Sequence, residues 1–359
     1  MTQGDLVFAK APAPPHRPRL HGLDALRGFA AAWVMLYHLI LRYPRFRWGE
    51  EMDYPLLPAS LPGLAAGELG IMPVLWFFLI SGFVIALTVE RCRSGWDFLL
   101  RRTSRIFPAY WTAILLILLL DGASPMPATG ASSATVLLNL TMLQSFVDVP
   151  NLDDVFWSLS VELLFYAYAL AFFAAPLRHQ TRTALLAWAF AGLAAAVAVR
   201  CGQPVSWRLS RFLLLEYGPL LAGGMALFRL WRRQDTKGSA LILAICAAAV
   251  CVRFHPLTAA TCFAAAALIA WSTHRGPAWL AARPLAWLGT ISYALYLTHQ
   301  VTGYAILATF EELQWPRAAG LMVATAACLL VATLVTVAVE RPALAWSRQL
   351  RRRFEAAIP

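Results

Sequence analysis

The chain has 359 residues, of which 60% are hydrophobic and 14% charged, and its mean hydropathy is +0.61. A single water-soluble domain cannot hide that much apolar surface, so composition excludes a soluble enzyme or binding module and points to a polytopic membrane protein. The formal charge of +11, from 30 Lys and Arg against 19 Asp and Glu, would suggest nucleic acid in a soluble chain. Here the basic residues sit mostly in loops between apolar runs, where membrane orientation accounts for most of them, and no nucleic-acid partner is expected.

In chain order, residues 1–19 are Pro-rich, carry Lys10, Arg17 and Arg19, and have neither an apolar signal core nor a small-residue cleavage site. They read as a disordered cytoplasmic tail. Ten apolar runs follow, near 24–42, 69–89, 106–120, 158–176, 184–199, 211–228, 239–252, 256–271, 289–309 and 318–339. Each predicts a membrane helix, although the third, seventh and eighth fall short of the ~20 residues of a full span. The expected fold is all-α, with about ten transmembrane helices and both termini cytoplasmic. Arg91, Arg93, Arg101, Arg102 and Arg105 lie between the second and third runs, whereas no Lys or Arg occurs from Ile106 through Leu177. The first loop is therefore expected inside and the second outside.

Continued alternation puts Arg229, Arg232, Arg233 and Lys237 inside, Glu311 and Glu312 outside, and Arg341, Arg348, Arg351, Arg352 and Arg353 inside. Two groups break the pattern, Arg42, Arg45 and Arg47 after the first span and Arg200, Arg208 and Arg211 after the fifth. Either the topology differs there or these arginines bind something anionic. No fixed-period repeat is present, and the segments 43–68 and 121–157 are too short for a soluble domain, although loops of that length often form lids. Residues 20–345 thus read as one membrane domain and 346–359 as a basic cytoplasmic tail. The six cysteines show no CxxC pair or metal-ligand spacing, read as reduced packing residues, and give no metal site.

Four constellations carry chemistry. Arg27 and His38 are eleven residues, about three turns, apart on one face of the first helix, with Asp24 one turn before Arg27. A cation and a neutral-pH base are costly in lipid unless they line a protein cavity, and the bland alternative is an interfacial anchor plus an interhelical hydrogen bond. Next, Arg102 and Arg105 lie one turn apart, beside Arg101, on a helix expected to stop or kink at Pro108. Guanidinium forks suit polyphosphate, and the competing explanation is the positive-inside signal alone.

The third constellation is Trp157-Ser158-Leu-Ser-Val-Glu162, in which Ser158 and Glu162 share a face near the outer end of the fourth span, and a glutamate there needs a partner or a task. The fourth is Ser292, Tyr296 and His299, a polar stripe at i, i+4, i+7 in the ninth span. His38 lies ~20 Å along its helix from Asp24, while Glu162 reaches ~8 Å in from the outside, so the two are expected to meet across the outer half of the bilayer.

Taken in order, Arg27-x10-His38, Phe77-Phe-Leu-Ile-Ser-Gly-Phe83, Arg102-x-x-Arg105 before Pro108, Trp157-Ser-Leu-Ser-Val-Glu162 and Ile291-Ser-Tyr-Ala-Leu-Tyr-Leu-Thr-His299 resemble the acyltransferase 3 family over residues 20 to 345. The resemblance implies a membrane O-acyltransferase of the bacterial cytoplasmic membrane. It would move an acyl group, commonly acetyl, from cytoplasmic acyl-CoA to a hydroxyl of an extracytoplasmic or lipid-linked glycan, with no permanently bound cofactor. The expected partners are the donor, the glycan and the bilayer, with either a homo-oligomer or a separate periplasmic transferase beside them.

Arg102, Arg105 and Arg101 would hold the donor's phosphates. His38 would act as general base or transient acyl carrier, Arg27 or a helix amide would stabilise the oxyanion, and Glu162 would orient the histidine or the sugar hydroxyl. Trp157, Ser158, Asp24, His299 and Tyr296 are the candidate substrate contacts. A secondary transporter or flippase and an acyl-relay subunit are the competing classes, the first disfavoured because no inverted repeat with paired broken helices is visible.

Overall fold

The computed structural model describes residues 20–44, 66–126, 129–174, 181–275, 280 and 282–357. The expected tail at 1–19 and the outer-loop residues Arg45 and Arg47 lie outside the described residues. Each of the ten apolar runs contains a helix, although the sixth, at 211–228, is broken by a turn at 213–217 and is helical mainly from Gly218, and among the described residues there is no strand. The helices are α1 (His21–Tyr37), which continues through a π-helical turn (His38–Arg42), α2 (Ala66–Arg91), α3 (Gly95–Leu120) and a short α4 (Ser133–Leu140). Then follow α5 (Trp157–Ala174), α6 (Thr181–Arg200), the short α7 (Trp207–Phe212), α8 (Gly218–Trp231), α9 (Thr236–Arg253) and α10 (Pro256–Arg275). The chain ends with α11 (Arg283–Glu312), α12 (Arg317–Val335), which continues through a second π turn (Thr336–Glu340), and α13 (Arg341–Ala357).

Eight helical segments among the described residues are long and apolar enough to cross a membrane; the 14-residue α8 and the 30-residue α11 fill the sixth and ninth predicted positions. The protein is an all-α polytopic membrane protein. Its outward-facing side chains agree with a lipid solvent, since Phe29, Trp111, Leu115, Leu119, Leu330 and Leu334 are all exposed.

The third run is short for a physical reason. Pro108 does not stop the helix: α3 starts at Gly95, capped by the Ser94 hydroxyl on the Asp97 amide at 3.2 Å, and runs through the proline to Leu120. Its first half carries the arginines and its second half the apolar run, so one helix joins the inner surface to the bilayer. Residues 346–357, read from sequence as part of a tail, are helical in α13, which docks on α3 through Ser347 to the Leu100 carbonyl (3.3 Å) and Arg351 to Asp97 (3.2 Å).

The central helix is α11, buried along most of the stretch from Gly289 to Ala308. It meets α1 backbone to backbone, because a Cβ on Gly28 would sit 2.6 Å from the Gly289 nitrogen and one on Gly289 would sit 2.3 Å from the Asp24 carbonyl oxygen. Small residues permit this approach where lipid provides no hydrophobic drive for association. Ten residues beyond Gly28 is His38, and ten beyond Gly289 is His299. The two helices run parallel, and the glycine contact sets the register that brings the histidines together.

Arginine–carboxylate ion pairs join positions that the charge map puts on one side. On the inner side Arg351 and Arg101 meet Asp97, Arg232 meets Glu90, and Arg182 and Arg229 meet Asp235. On the outer side Arg42 meets Asp154 at 3.1 Å, Arg253 meets Glu216 at 2.6 Å, and Arg211 meets Asp148 at 3.9 Å. Arg42 and Arg211, which broke the positive-inside pattern, therefore have carboxylate partners from the outer loop before α5.

Candidate active site

A cavity of about 540 Å³ opens among α1, α2, α3, α5, α11 and α13. Seven arginines line it against two carboxylates, Asp24 and Glu162, an excess of five positive charges. Arg27 comes from α1, Arg101, Arg102 and Arg105 from α3, Arg91 from the end of α2, and Arg348 and Arg351 from α13. That volume lies within the range of small-molecule sites.

Arg102 is buried and anchored. Its Nη2 donates to the Val84 carbonyl (3.2 Å) and to the Thr88 hydroxyl, and its guanidinium lies 5.2 Å from the centre of the Tyr166 ring. Its Nε has no hydrogen-bond partner among the described residues. Arg101 is held by Asp97 at 2.9 Å. Among the described residues Arg27, Arg105 and Arg348 have no hydrogen-bond or ion-pair partner, although Arg27 feels the charges of Asp24, Glu162 and Glu340. Converging cations in an apolar protein repel one another, and an anionic ligand in the cavity relieves that cost.

Glu162 belongs to this cavity and not to His38. Its Oε1 accepts from the Ser81 hydroxyl (3.0 Å) and from the Tyr166 hydroxyl (2.5 Å). Tyr166, one turn after Glu162, thereby links the carboxylate to Arg102. The expected meeting of Glu162 with His38 is thus corrected: the helix that carries it turns its face to α2 and α3. Arg27 and His38 do share a face, but eleven residues of rise separate them by about 16 Å. That is longer than an arginine side chain reaches, so an oxyanion role for Arg27 at a carbonyl beside His38 does not fit, and Arg27 sits instead among the cavity cations.

His38 has a different neighbour, His299. The π-helical turn begins at His38, a local widening that often marks functional positions. His299 Nδ1 lies 3.0 Å from the Leu295 carbonyl and 2.9 Å from the Tyr296 carbonyl; carbonyls only accept, so Nδ1 carries the proton and Nε2 is a bare acceptor. His38 Nδ1 lies 2.9 Å from the Val34 carbonyl and 3.1 Å from His299 Nε2, so it too carries its proton and donates to both. The backbone thus fixes both tautomers and leaves the Nε2 lone pair of His38 without a hydrogen-bond partner among the described residues.

Neither histidine lines the cavity. Phe77, Tyr296 and Ser158 line the part of the cavity away from the cytoplasmic arginines. The Tyr296 hydroxyl donates to the Val155 carbonyl (3.1 Å) and shares a 2.6 Å hydrogen bond with Ser158, while its ring centre lies 6.2 Å from that of His299. One side chain therefore separates the cavity from the histidine pair. Trp157, expected as a substrate contact, packs on Phe78 and Tyr217 beside the cavity. Just outside the span that begins at Asp154, the buried Asp153 accepts from the Val155 amide (3.1 Å) and so braces the turn that holds Tyr296; burial, with Asp154 beside it, pushes its carboxyl up to about 7.

A family model described as an acyltransferase domain matches residues 20–341. The chain belongs to the acyltransferase 3 family. It is 30% identical over 190 residues to acyltransferase MdmB of Streptomyces mycarofaciens, covering 51% of this chain and 46% of the relative. It is 29% identical over 173 residues to nodulation protein 10 of Rhizobium leguminosarum bv. viciae, covering 41% and 42%. The chain thus spans less than half the length of these curated relatives. No solved structure matches it.

Sequence reasoning missed Tyr166, Thr88, Glu340 and the cavity role of Arg348 and Arg351. Tyr166 had a signal, its i+4 spacing from Glu162. Glu340, buried in the second π turn and held by Thr336 at 3.2 Å, interacts electrostatically with Arg105 and Arg27 across sequence distances that no local pattern reveals.

Proposed function

We propose that this protein is an O-acyltransferase of a bacterial cytoplasmic membrane. It transfers an acyl group, acetyl in the simplest case, from cytoplasmic acyl-CoA to a hydroxyl of an extracytoplasmic or lipid-linked glycan. The observation that carries the reading is the pairing of a cavity having five excess positive charges with a histidine pair one side chain, Tyr296, beyond its lining. Family membership and the name of the first relative, an acyltransferase, support the same chemistry. A polyanionic nucleotide thioester suits the arginines, and its long pantetheine arm suits the reach along the cavity to Tyr296.

In this reading the guanidinium groups hold the donor's phosphates, with Arg27 and Arg105 contacting the arm or phosphates further in. The Tyr296–Ser158 contact opens so that the thioester carbonyl comes within about 3–3.5 Å of the acceptor hydroxyl. His38 Nε2 takes the hydroxyl proton as that oxygen bonds to the carbonyl carbon. The C–S bond then breaks, and His38 returns the proton to the departing thiolate, giving an oxygen ester and free CoA. His299 is a positioning residue, since its Nε2 accepts from the His38 Nδ1–H and supports the imidazolium formed in the transition state.

The test is sidedness in sealed, oriented vesicles, with labelled acetyl-CoA that cannot cross the membrane and glycan supplied on either face. Labelled ester is expected with donor on the face of Arg102 and Arg348 and glycan on the face of Arg42 and Asp154. Ester formed only when donor and glycan share the inner face rejects transfer across the membrane. Glycan movement without ester rejects acyl transfer altogether.

A further inference from the structure

The family match ends at residue 341, yet α13, which begins there, forms a wall of the cavity. Leu344, Ser347, Arg348 and Arg351 line it, at spacings of i, i+3, i+4 and i+7, so one complete stripe of the helix faces the cavity. The neighbouring Arg352 and Arg353 are exposed and do not line it. The helix is held in place by Ser347 on the Leu100 carbonyl and Arg351 on Asp97, within the first turns of α3 that also carry Arg101 and Arg102.

Two observations point to an anionic ligand at this wall. The Arg351 Nε is buried without a hydrogen-bond partner although one Nη is committed to Asp97. Arg348 lines the cavity and has no ion-pair partner among the described residues. A positive-inside signal needs basic residues near the surface but does not require them to converge on a cavity.

We infer that α13 completes the donor site, with Arg348 and Arg351 binding the phosphates at the nucleotide end of the acyl donor. The inference rests on the proposed acyl-CoA reading and assigns the outermost part of that site to a segment beyond the family match. The helix grips the bulky, charged end of the donor at the mouth, while Arg27 and Arg105 face the part that reaches inward. Affinity for the nucleotide end then depends on α13, and turnover on the histidine pair does not.

The experiment uses the full chain in detergent or nanodiscs and reads two quantities, acetyl transfer kinetics and the affinity for free CoA by calorimetry. Arg348→Ala is expected to raise the KM for acetyl-CoA and the Kd for CoA about tenfold each, as for loss of one charge-assisted hydrogen bond, while kcat stays within about twofold. Arg348→Lys should recover part of the loss and Arg348→Glu should deepen it. Arg353→Ala, which removes the same charge from the opposite face of α13, should change neither quantity.

Equal effects of Arg353→Ala and Arg348→Ala would make these residues a surface charge and overturn the inference. So would an Arg348→Glu variant with unchanged KM and unchanged Kd for CoA. If the wild-type protein forms no ester from acetyl-CoA, the acyl-transfer reading fails, and the calorimetry still decides whether α13 binds a nucleotide phosphate.

Discussion

Replacing His299 with leucine isolates one hydrogen bond of the proposed mechanism. His299 has no exposed surface and does not line the cavity, so neither donor nor acceptor touches it. Its own Nδ1–H donates to the carbonyls of Leu295 and Tyr296 within α11, acceptors that the helix itself also uses, so leucine leaves no polar group stranded. What is lost is the acceptor for His38 Nδ1–H. In the ground state that bond is neutral, worth about 0.5–1.5 kcal/mol, whereas once His38 carries the proton it is a bond to a charged group, worth about 1.5–3 kcal/mol. The difference, about 1–2 kcal/mol, acts only in the transition state and lowers kcat about 5- to 30-fold with KM unchanged.

The loss is bounded because the Val34 carbonyl still accepts from the same proton. Glutamine, which offers a carbonyl oxygen, should recover part of it. His38→Ala should leave only a small residual rate, and His38→Ala with His299→Leu should be no slower than His38→Ala alone, since His299 acts through His38. Additive losses in that double variant, or a raised KM with unchanged kcat in His299→Leu, would refute a positioning role.

Three other outcomes follow from the same geometry. Arg105→Ala should weaken binding of acyl-CoA by about 1.5–3 kcal/mol, read as KM and as Kd for CoA, because it removes a cavity cation with no protein hydrogen-bond partner to strand. Gly28→Ala drives a Cβ against the Gly289 backbone; it should lower stability by about 1–3 kcal/mol and reduce kcat with it, measured by thermal unfolding and turnover of the folded fraction. Asp153 titrates near 7 in the folded protein against an ordinary 3.8, so the native state holds the proton more tightly. Its stabilising contribution is full below about pH 4 and is lost as pH rises through about 7, so the wild-type melting temperature should fall between pH 5 and 8 relative to that of Asp153→Asn, in which the position no longer titrates.

The fold was legible where the physics is local. A long apolar run, or a block of arginines beside an acidic loop, reports a span and its direction without any tertiary information, and each of the ten runs contains a helix, the sixth broken by a turn at 213–217. Boundaries failed where function interrupts the pattern. The third run looked short because Arg101, Arg102 and Arg105 occupy the first half of one continuous helix, and α13 looked like a tail because its arginines mimic the positive-inside signal. Arg27, His38 and Glu162 stood out because ionisable groups inside apolar helices are costly. Which of them touch was not legible, because an eleven-residue spacing gives a shared face and says nothing of a partner 261 residues away.

The register of two helices explains why the donor cations and the histidine base are separate yet aligned. Contact at Gly28 and Gly289 leaves no room for one helix to slide on the other without backbone overlap, so a ten-residue step on each delivers His38 to His299. The same faces carry Arg27 on α1 and Gly289, Ser292 and Tyr296 on α11 to the cavity. The path from phosphate site to base is therefore a seam between two helices whose relative position is fixed, and along it the Tyr296 ring separates the two. That ring is tied not to α1 but to the first turn of α5, through Ser158 and the Val155 carbonyl, and that turn is in turn braced by Asp153. Opening the seam to a thioester thus requires motion of Tyr296 and the start of α5, while the hydrogen bonds that set the two histidine tautomers stay closed.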